Sequence, residues 1–277
     1  MKNYAYFNGK IISTDKIKIS PYDLGIHRGY GAFDLMCTQN GKVFLLDDHW
    51  KRFLGSAKEL GIKVPVTKKE FGEIIEKLLK INKFEKANVR AVITGGISED
   101  TFCCQPGQET FFILVAKFTS LLKEYYEKGA HVITMEYSRD FPWAKLTNYV
   151  AAIKKHKHKV KNKALEIIYI NQGRATEAST SNFFIVKKGK LITTKEGILY
   201  GITRKVVIEL AKKLKISVEE RKINKKELFE ADEIFLTATN KDIVPVVKVD
   251  GKKIGDGKVG KMTKILMEEF RKFAEKY

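Results

Sequence analysis

Short runs of alternating apolar and polar positions open the chain. YAYF and KIIS are separated by Asn8-Gly9, and LMCTQ and KVFLL by Asn40-Gly41. Asn-Gly favours the two-residue turn in which both residues take positive φ, so each pair predicts a β-hairpin. The period then lengthens. From Asp47-Asp48 onward, Trp50, Phe53, Leu54 and Ala57 recur at helical spacing. A second helix begins at Thr67, where Glu70 completes a capping box, and it gathers Phe71, Ile74, Ile75, Leu78 and Leu79 on one face. The strands NVRAVIT and ETFFILVAK follow. The loop that joins them, Gly95 to Gln108, is long for a compact domain and is expected to be a mobile element beside an active site.

Residues 118–128 read as a connector between an N-terminal domain, 1–117, and a C-terminal domain, 129–277. HVITMEYS has strand character, and Tyr149 to Val160 reads as an apolar helix. ALEIIYI and RATEA flank a hairpin turn at Asn171-Gln172-Gly173, and SNFFIVKKGKLIT turns at Gly189. Helices are expected over Thr203 to Leu214, over Lys226 to Ala231 and from about Lys258. The strand EIFLTAT and the hairpin VVKVDGKKI, turning at Asp250-Gly251, lie among them.

Composition narrows what such a chain could be. Apolar residues fill 44% of the 277 positions, enough for a packed core, and Gly and Pro are not enriched. No apolar run approaches the roughly 20 residues of a membrane span, and MKNYAYFNGK lacks the apolar core of a signal peptide. The three cysteines are too few and too oddly placed for a disulfide framework, which points to a reducing cytoplasm. The net charge of +19 raises the question of nucleic acid. Yet the lysines are spread over the polar faces of helices and interleaved with glutamates, as in TKKEFGEIIEKLLK. The reading is a solvated, lysine-rich surface with no specific nucleic-acid or membrane partner. Even in the densest cluster, Lys154 to Lys163, His156 and His158 point to different sides of a helix and offer no metal site.

Two stretches carry candidate chemistry. TEASTSNFF, Thr176 to Phe184, sets the carboxylate of Glu177 ahead of small hydroxyl residues and Asn182. ILYGITRKVV, Ile198 to Val207, sets Gly201-Ile202-Thr203 where an amphipathic helix begins. The first offers an acid for a heterocyclic nitrogen. The second offers free N–H groups and a helix dipole for a phosphate. A cofactor with both features is pyridoxal 5′-phosphate, and its aldehyde demands one lysine. Lys145, in DFPWAKLTNYV, is flanked by Pro142, Trp143, Leu146 and Tyr149, an apolar setting that favours a neutral, nucleophilic amine.

Longer blocks sharpen this. RGYGAFD (28–34), DDHWKRF (47–53), WAKLTNY (143–149), EASTSNFF (177–184), LYGITR (199–204), ADEIFLTATNKDIVPV (231–246) and VDGKKIGDGKVG (249–260) occur in the order and spacing of a known family. Nearly end to end, the chain resembles the class IV, fold type IV, pyridoxal phosphate aminotransferases. That family includes D-amino-acid transaminases, branched-chain aminotransferases and aminodeoxychorismate lyase. The stretch between Thr193 and Leu199 is a residue shorter than the family pattern, which alters the path of that loop only.

The resemblance implies an α+β fold of two domains, an N-terminal α/β sandwich and a C-terminal pseudo-barrel, assembled as a homodimer. It implies that Lys145 holds the cofactor aldehyde and later carries a proton, that Glu177 pairs with the ring nitrogen, and that Tyr149 sits near the phenolic oxygen. Leu199 would pack on the ring. Arg52, Ile202, Thr203, Ala238 and Thr239 would surround the phosphate. Amino acids and 2-oxo acids would be the substrates, exchanged in two half-reactions. Arg28 and Arg90, with Phe33 and Leu35 beside them, would face the substrate, and planar guanidinium groups suit a carboxylate. The arginine and histidine of the usual D-transaminase pattern are missing at Thr94-Gly95-Gly96-Ile97-Ser98, and a tyrosine stands in branched-chain enzymes where Arg28 stands here. The Arg28/Arg90 pair resembles a less common, D-amino-acid subgroup.

Overall fold

A computed structural model describes residues 3–277. The chain divides into two compact units. One comprises the chain up to Thr119 with Ala144–Tyr149 and Tyr277; the other comprises Ser120–Trp143 and Val150–Lys276. The first crossing falls in the expected connector. The segment carrying Lys145, expected within the C-terminal domain, instead groups with the first unit, and hydrogen bonding explains why. Phe33 N–H donates to the Lys145 carbonyl and Thr147 N–H to the Gly31 carbonyl, each at 2.9 Å. Ala32 and Leu146 form an antiparallel bridge.

The first unit contains β1 (Tyr4–Phe7), β2 (Lys10–Ser13), α1 (Leu24–His27), β3 (Gly31–Gln39), β4 (Lys42–Val43), α2 (Leu46–Glu59), α3 (Lys68–Asn82), β5 (Ala87–Thr94) and β6 (Thr110–Lys117). The strands form one antiparallel sheet in the order β2-β1-β6-β5-β3-β4. Both Asn-Gly pairs take the positive φ values that the hairpins require. Thr67 and Glu70 exchange the two capping-box bonds that start α3. Trp50 and Phe53 from α2 and Phe71 from α3 cluster against Phe111 of the sheet, with neighbouring ring centroids 4.8 to 6.4 Å apart. Truncating a buried phenylalanine such as Phe53 removes about 3–5 kcal/mol. KVFLL is only partly strand. Leu45 turns left-handed at φ 53° and α2 begins at the next residue.

The second unit contains α4 (Lys123–Glu127), β7 (Ala130–Glu136), α5 (Val150–Lys154), α6 (His156–Lys161), β8 (Glu166–Asn171), β9 (Arg174–Ala178), β10 (Asn182–Lys187), β11 (Lys190–Thr193), α7 (Ile202–Lys213), β12 (Val218–Glu220), β13 (Ile223–Asn224), α8 (Lys225–Phe229), β14 (Glu233–Ala238), β15 (Asp242–Val249), β16 (Lys252–Lys253) and α9 (Lys261–Glu275). Its sheet runs β12-β11-β10-β14-β15-β7-β8-β9-β13, with β16 on β15. The pairs β7–β8, β7–β15 and β11–β12 are parallel. Strands β8, β10, β14 and β15 are buried along nearly their whole length, so both faces are covered. The apolar helix expected over 149–160 is instead two short helices that bury no residue, and Val150, Ile153 and Val160 are exposed. The Lys/His run leaves too few apolar positions to form a core-facing stripe. Among the described residues no helix is long and apolar enough to cross a membrane, and no group of three His, Cys, Asp or Glu side chains could hold a metal ion.

Candidate active site

Lys145 runs along the edge of β3 that β5 leaves open. Its N–H donates to Ser56 Oγ at 2.9 Å, and its carbonyl accepts from Phe33. Ser56 Oγ in turn donates to the Arg52 carbonyl at 2.9 Å, so α2 helps fix the lysine backbone. The side chain then crosses Phe33, with Nζ 4.7 Å from the ring centroid. The same ring meets the Arg90 guanidinium at 5.4 Å and the Tyr149 ring, edge to face, at 5.8 Å. Strand register explains the meeting. Leu35 pairs with Arg90 and Phe33 with Val92 across β3–β5, so Phe33, Leu35 and Arg90 share one face. Five of the expected residues are thus assembled from three distant parts of the first unit.

The opposite face of β3 carries Asp34, fully buried. Arg52 Nε donates to Oδ2 at 2.7 Å and Nη2 to Oδ1 at 2.8 Å, while His49 Nδ1 lies 2.7 Å from Oδ1. His49 and Arg52 are one helical turn apart and so face the strand together. Burial pushes the Asp34 carboxyl up, but Arg52 and His49 outweigh it and hold it well below the usual carboxylate range. Burial also lowers the His49 pKa against the pull of Asp34. Ionised Asp34 then fixes Nδ1 as the protonated nitrogen of a neutral imidazole. Arg52 is held side-on, and its remaining N–H groups can bind an anion.

Arg28 is the C-cap of α1, whose N-cap Asp23 accepts from Gly25 N–H at 2.7 Å and also bonds the Thr94 and Thr110 hydroxyls at 2.9 and 2.5 Å. Arg28 donates from Nε and Nη2 to the Thr101 carbonyl and hydroxyl, each at 3.2 Å, and lies 4.5 Å above the Phe102 ring. The loop over 95–108 also makes close contacts of its own. Gly96, at φ +70°, passes so near Gln108 that a Cβ would sit 1.7 Å from its carbonyl oxygen. Asp100 Oδ1 accepts from the N–H groups of Phe102 and Cys103 at 2.9 and 2.8 Å. Arg28 and Arg90, expected as one carboxylate pair, therefore have different supports: the loop for one, Phe33 for the other.

In the second unit, Glu177 is buried near the end of β9. Its Oε1 lies 3.2 Å from Arg139 Nε, and its Oε2 accepts from Leu199 N–H at 3.0 Å. The Leu199 carbonyl accepts from Asn182 Nδ2 at 2.8 Å. Asn182 also presses on Gly201, where a Cβ would sit 2.1 Å from Oδ1, so a larger residue there would displace the Asn182 amide. Gly201 is the N-cap of α7. No side chain caps this helix and no acidic residue occupies its first turn. The N–H groups at Ile202 and Thr203, both buried residues, lie in the first turn, where a helix can receive an anion. Ala238 ends β14, and the turn through Thr239 is closed by Lys241 N–H donating to the Ala238 carbonyl at 3.1 Å.

A family profile described as amino-transferase class IV matches residues 31–249. The chain belongs to the class IV aminotransferases. A D-alanine aminotransferase of Staphylococcus aureus is 31% identical over 98% of each chain. A protein of Methanocaldococcus jannaschii, provisionally named a branched-chain-amino-acid aminotransferase, is 35% identical over 98% of this chain and 96% of its own. The solved branched-chain amino acid aminotransferase of Escherichia coli matches with a TM-score of 0.90 at 27% identity, covering 98% of this chain and 94% of that one. The branched-chain amino acid aminotransferase of Thermobaculum terrenum, solved in its PLP-bound holo form, matches with a TM-score of 0.87 at 25% identity, covering 99% and 94%.

The fold of this class IV aminotransferase is the α+β, two-domain fold of those structures, and its cofactor is pyridoxal 5′-phosphate. Its residues fit that group: an uncapped helix terminus for a phosphate, a buried carboxylate for a ring nitrogen and a lysine beside an aromatic ring. Several supporting residues escape sequence reasoning. Asp34 has a local signal, an acid in the middle of an apolar strand, with His49 and Arg52 at helical spacing to receive it. Ser56, Arg139 and Lys241 have none, because their partners are remote in sequence.

Proposed function

We propose that this aminotransferase moves amino groups between D-amino acids and 2-oxo acids such as 2-oxoglutarate, as a cytoplasmic homodimer. The observation that carries the reading is Arg90, whose guanidinium shares the Phe33 ring with Lys145 and so offers a carboxylate anchor beside the reacting amine. The D-alanine aminotransferase relatives support it. A second reading, an L-branched-chain aminotransferase, is favoured by the 35% identical relative and by the solved structures.

Lys145 Nζ would hold the cofactor aldehyde and, once released, would carry the proton from the substrate Cα to the cofactor carbon that bore the aldehyde. Glu177 would keep a proton on the ring nitrogen, with Arg139 and Leu199 N–H orienting the carboxylate. Arg52, steadied by Asp34, would bind the phosphate together with the N–H groups of Ile202 and Thr203 and with Ala238-Thr239. Leu199 would pack on the ring, and Tyr149 would meet its phenolic oxygen. The bound cofactor supplies the electron sink for the pair released when Cα–H breaks. Arg28, Phe33 and Leu35 would line the substrate side with Arg90. Tyr22, Ile26 and Phe102, exposed around Arg28, support burial of that face by a second copy of the chain.

Both enantiomers of alanine, glutamate and leucine, each offered with a 2-oxo acid that it does not itself yield, separate the readings. Conversion of the D-forms is expected. Turnover confined to L-leucine and its branched relatives would remove the D-amino-acid reading and install the other.

A further inference from the structure

Lys241 is a buried lysine, 8% exposed, and the aminotransferase chemistry above does not use it. It lies in the turn between β14 and β15, and its partner is Glu166, which opens β8 at 2% exposed. Glu166 Oε1 accepts from Lys241 Nζ, from Thr180 Oγ1 and, at 3.1 Å, from Ser181 Oγ. Its Oε2 accepts from Ser179 Oγ. Lys241 Nζ also donates to Thr180 Oγ1 at 2.7 Å. The backbone of both turns is closed around this cluster. Lys241 N–H donates to the Ala238 carbonyl at 3.1 Å, Ala178 N–H to the Ser181 carbonyl at 2.8 Å and Ser179 N–H to the Ile167 carbonyl at 2.8 Å. Tyr126 Oη donates to the Lys241 carbonyl at 3.1 Å.

Burial alone would push the Glu166 carboxyl up, but the Lys241 ammonium and the hydroxyls outweigh it and hold it at about 2. The pair is therefore ionic at neutral pH. A buried ion pair is often no better for stability than apolar side chains of the same volume. What this pair does is join two specific turns. Glu166 grips residues 179–181, which begin two residues after Glu177. Lys241 closes the turn that Ala238 and Thr239 begin.

We propose that the Glu166–Lys241 pair is a positioning device for the phosphate end of the cofactor: it locks the turn over 238–241 against Ser179–Ser181, so that Thr239 meets the phosphate already oriented. The inference rests on the reading that Thr239 belongs to the phosphate site.

The test compares two probes on the full-length chain stripped of cofactor, pyridoxal 5′-phosphate and pyridoxal, which keeps the aldehyde and lacks the phosphate. Their dissociation constants are read from absorbance and from quenching of protein fluorescence, with the melting temperature measured alongside. Lys241→Met is expected to weaken pyridoxal 5′-phosphate by about 10-fold or more, the effect of misplacing a hydrogen bond to a charged group, and pyridoxal by less than about two-fold. The double variant Glu166→Gln/Lys241→Met strands no buried charge, so it is expected to fold and to lose the same preference even where Lys241→Met alone does not fold. Equal weakening of both probes, or an unchanged preference in the double variant, would make the pair purely structural and overturn the proposal. Unmodified protein that binds the two probes equally well would instead overturn the phosphate site itself.

Discussion

Two lysines of this chain stand in opposite surroundings, and depth is not what separates their roles. Lys241 is the more deeply buried, yet its Nζ is committed to Glu166 and the Thr180 hydroxyl. An Nζ gripped by a carboxylate and a hydroxyl is not presented to a carbonyl. Lys145 is only half-buried, with Nζ over the face of Phe33 and its charge felt by His49 along with that of Arg52. Positive neighbours suit an amine that must lose a proton to attack a carbonyl. Burial alone would point to Lys241, whereas the proposed function puts the reacting amine at Lys145.

The strongest way to break this comparison is Lys145→Ala. Turnover is expected to fall by at least the roughly 10²–10⁴-fold that a positioned proton carrier contributes. Borohydride reduction of the unmodified holoenzyme followed by peptide mapping should place the pyridoxyl adduct on Lys145, and an adduct recovered on Lys241 would reverse the argument. Next in size, Glu177→Gln removes the charge facing the ring nitrogen while cofactor is retained. The Cα proton step, followed in a single half-reaction, is expected to slow by roughly 10²–10³, equivalent to about 3–4 kcal/mol of transition-state stabilisation.

Smaller effects sharpen the contrast at the substrate end. Arg90→Lys and Arg28→Lys keep the charge and lose the planar fork. Each is expected to raise the amino-acid concentration needed for half-maximal reaction by about 10–150-fold, or about 1.5–3 kcal/mol, with cofactor binding intact. Amines without a carboxylate should be nearly indifferent to both changes. If D-glutamate is handled normally by both variants, the arginines are structural and the branched-chain reading gains.

The smallest expected effect is on stability in acid. Glu166 falls from an ordinary 4.5 to about 2, and Asp34 is lowered as well. A carboxyl with a depressed folded-state pKa contributes stability that is complete above its unfolded value and fades as pH falls toward the folded one. Thermal melts between pH 6 and pH 2.5 should therefore show a steep loss below about 4.5, the ordinary glutamate value. Glu166→Gln, which no longer titrates there, should flatten that slope while Lys145→Ala leaves it alone.

Much of the local structure was legible in the chain. The Asn-Gly and Asp-Gly hairpins, the capping box at Thr67 and the core stripes of α2 and α3 all follow from short-range rules, because turn chemistry and helical spacing act over a few residues. The same is true of the terminus at Gly201, where a glycine precedes an amphipathic helix. The length of the loop over 95–108 is visible in sequence, whereas the fit of Gly96 against Gln108 is not.

The sequence by itself determined most of the elements, the family and the residue types that suit a phosphate, a ring nitrogen and an aldehyde. Tertiary structure alone decided which groups meet. It returned the segment around Lys145 to the edge of β3, set Arg90 over Phe33 through strand register, tied Arg28 to Phe102, and paired Glu166 with a lysine 75 residues away. The physical reason is that propensity and periodicity describe one residue and its near neighbours. Charge pairing, close backbone approach and desolvation depend on distance through space, which only the completed fold fixes.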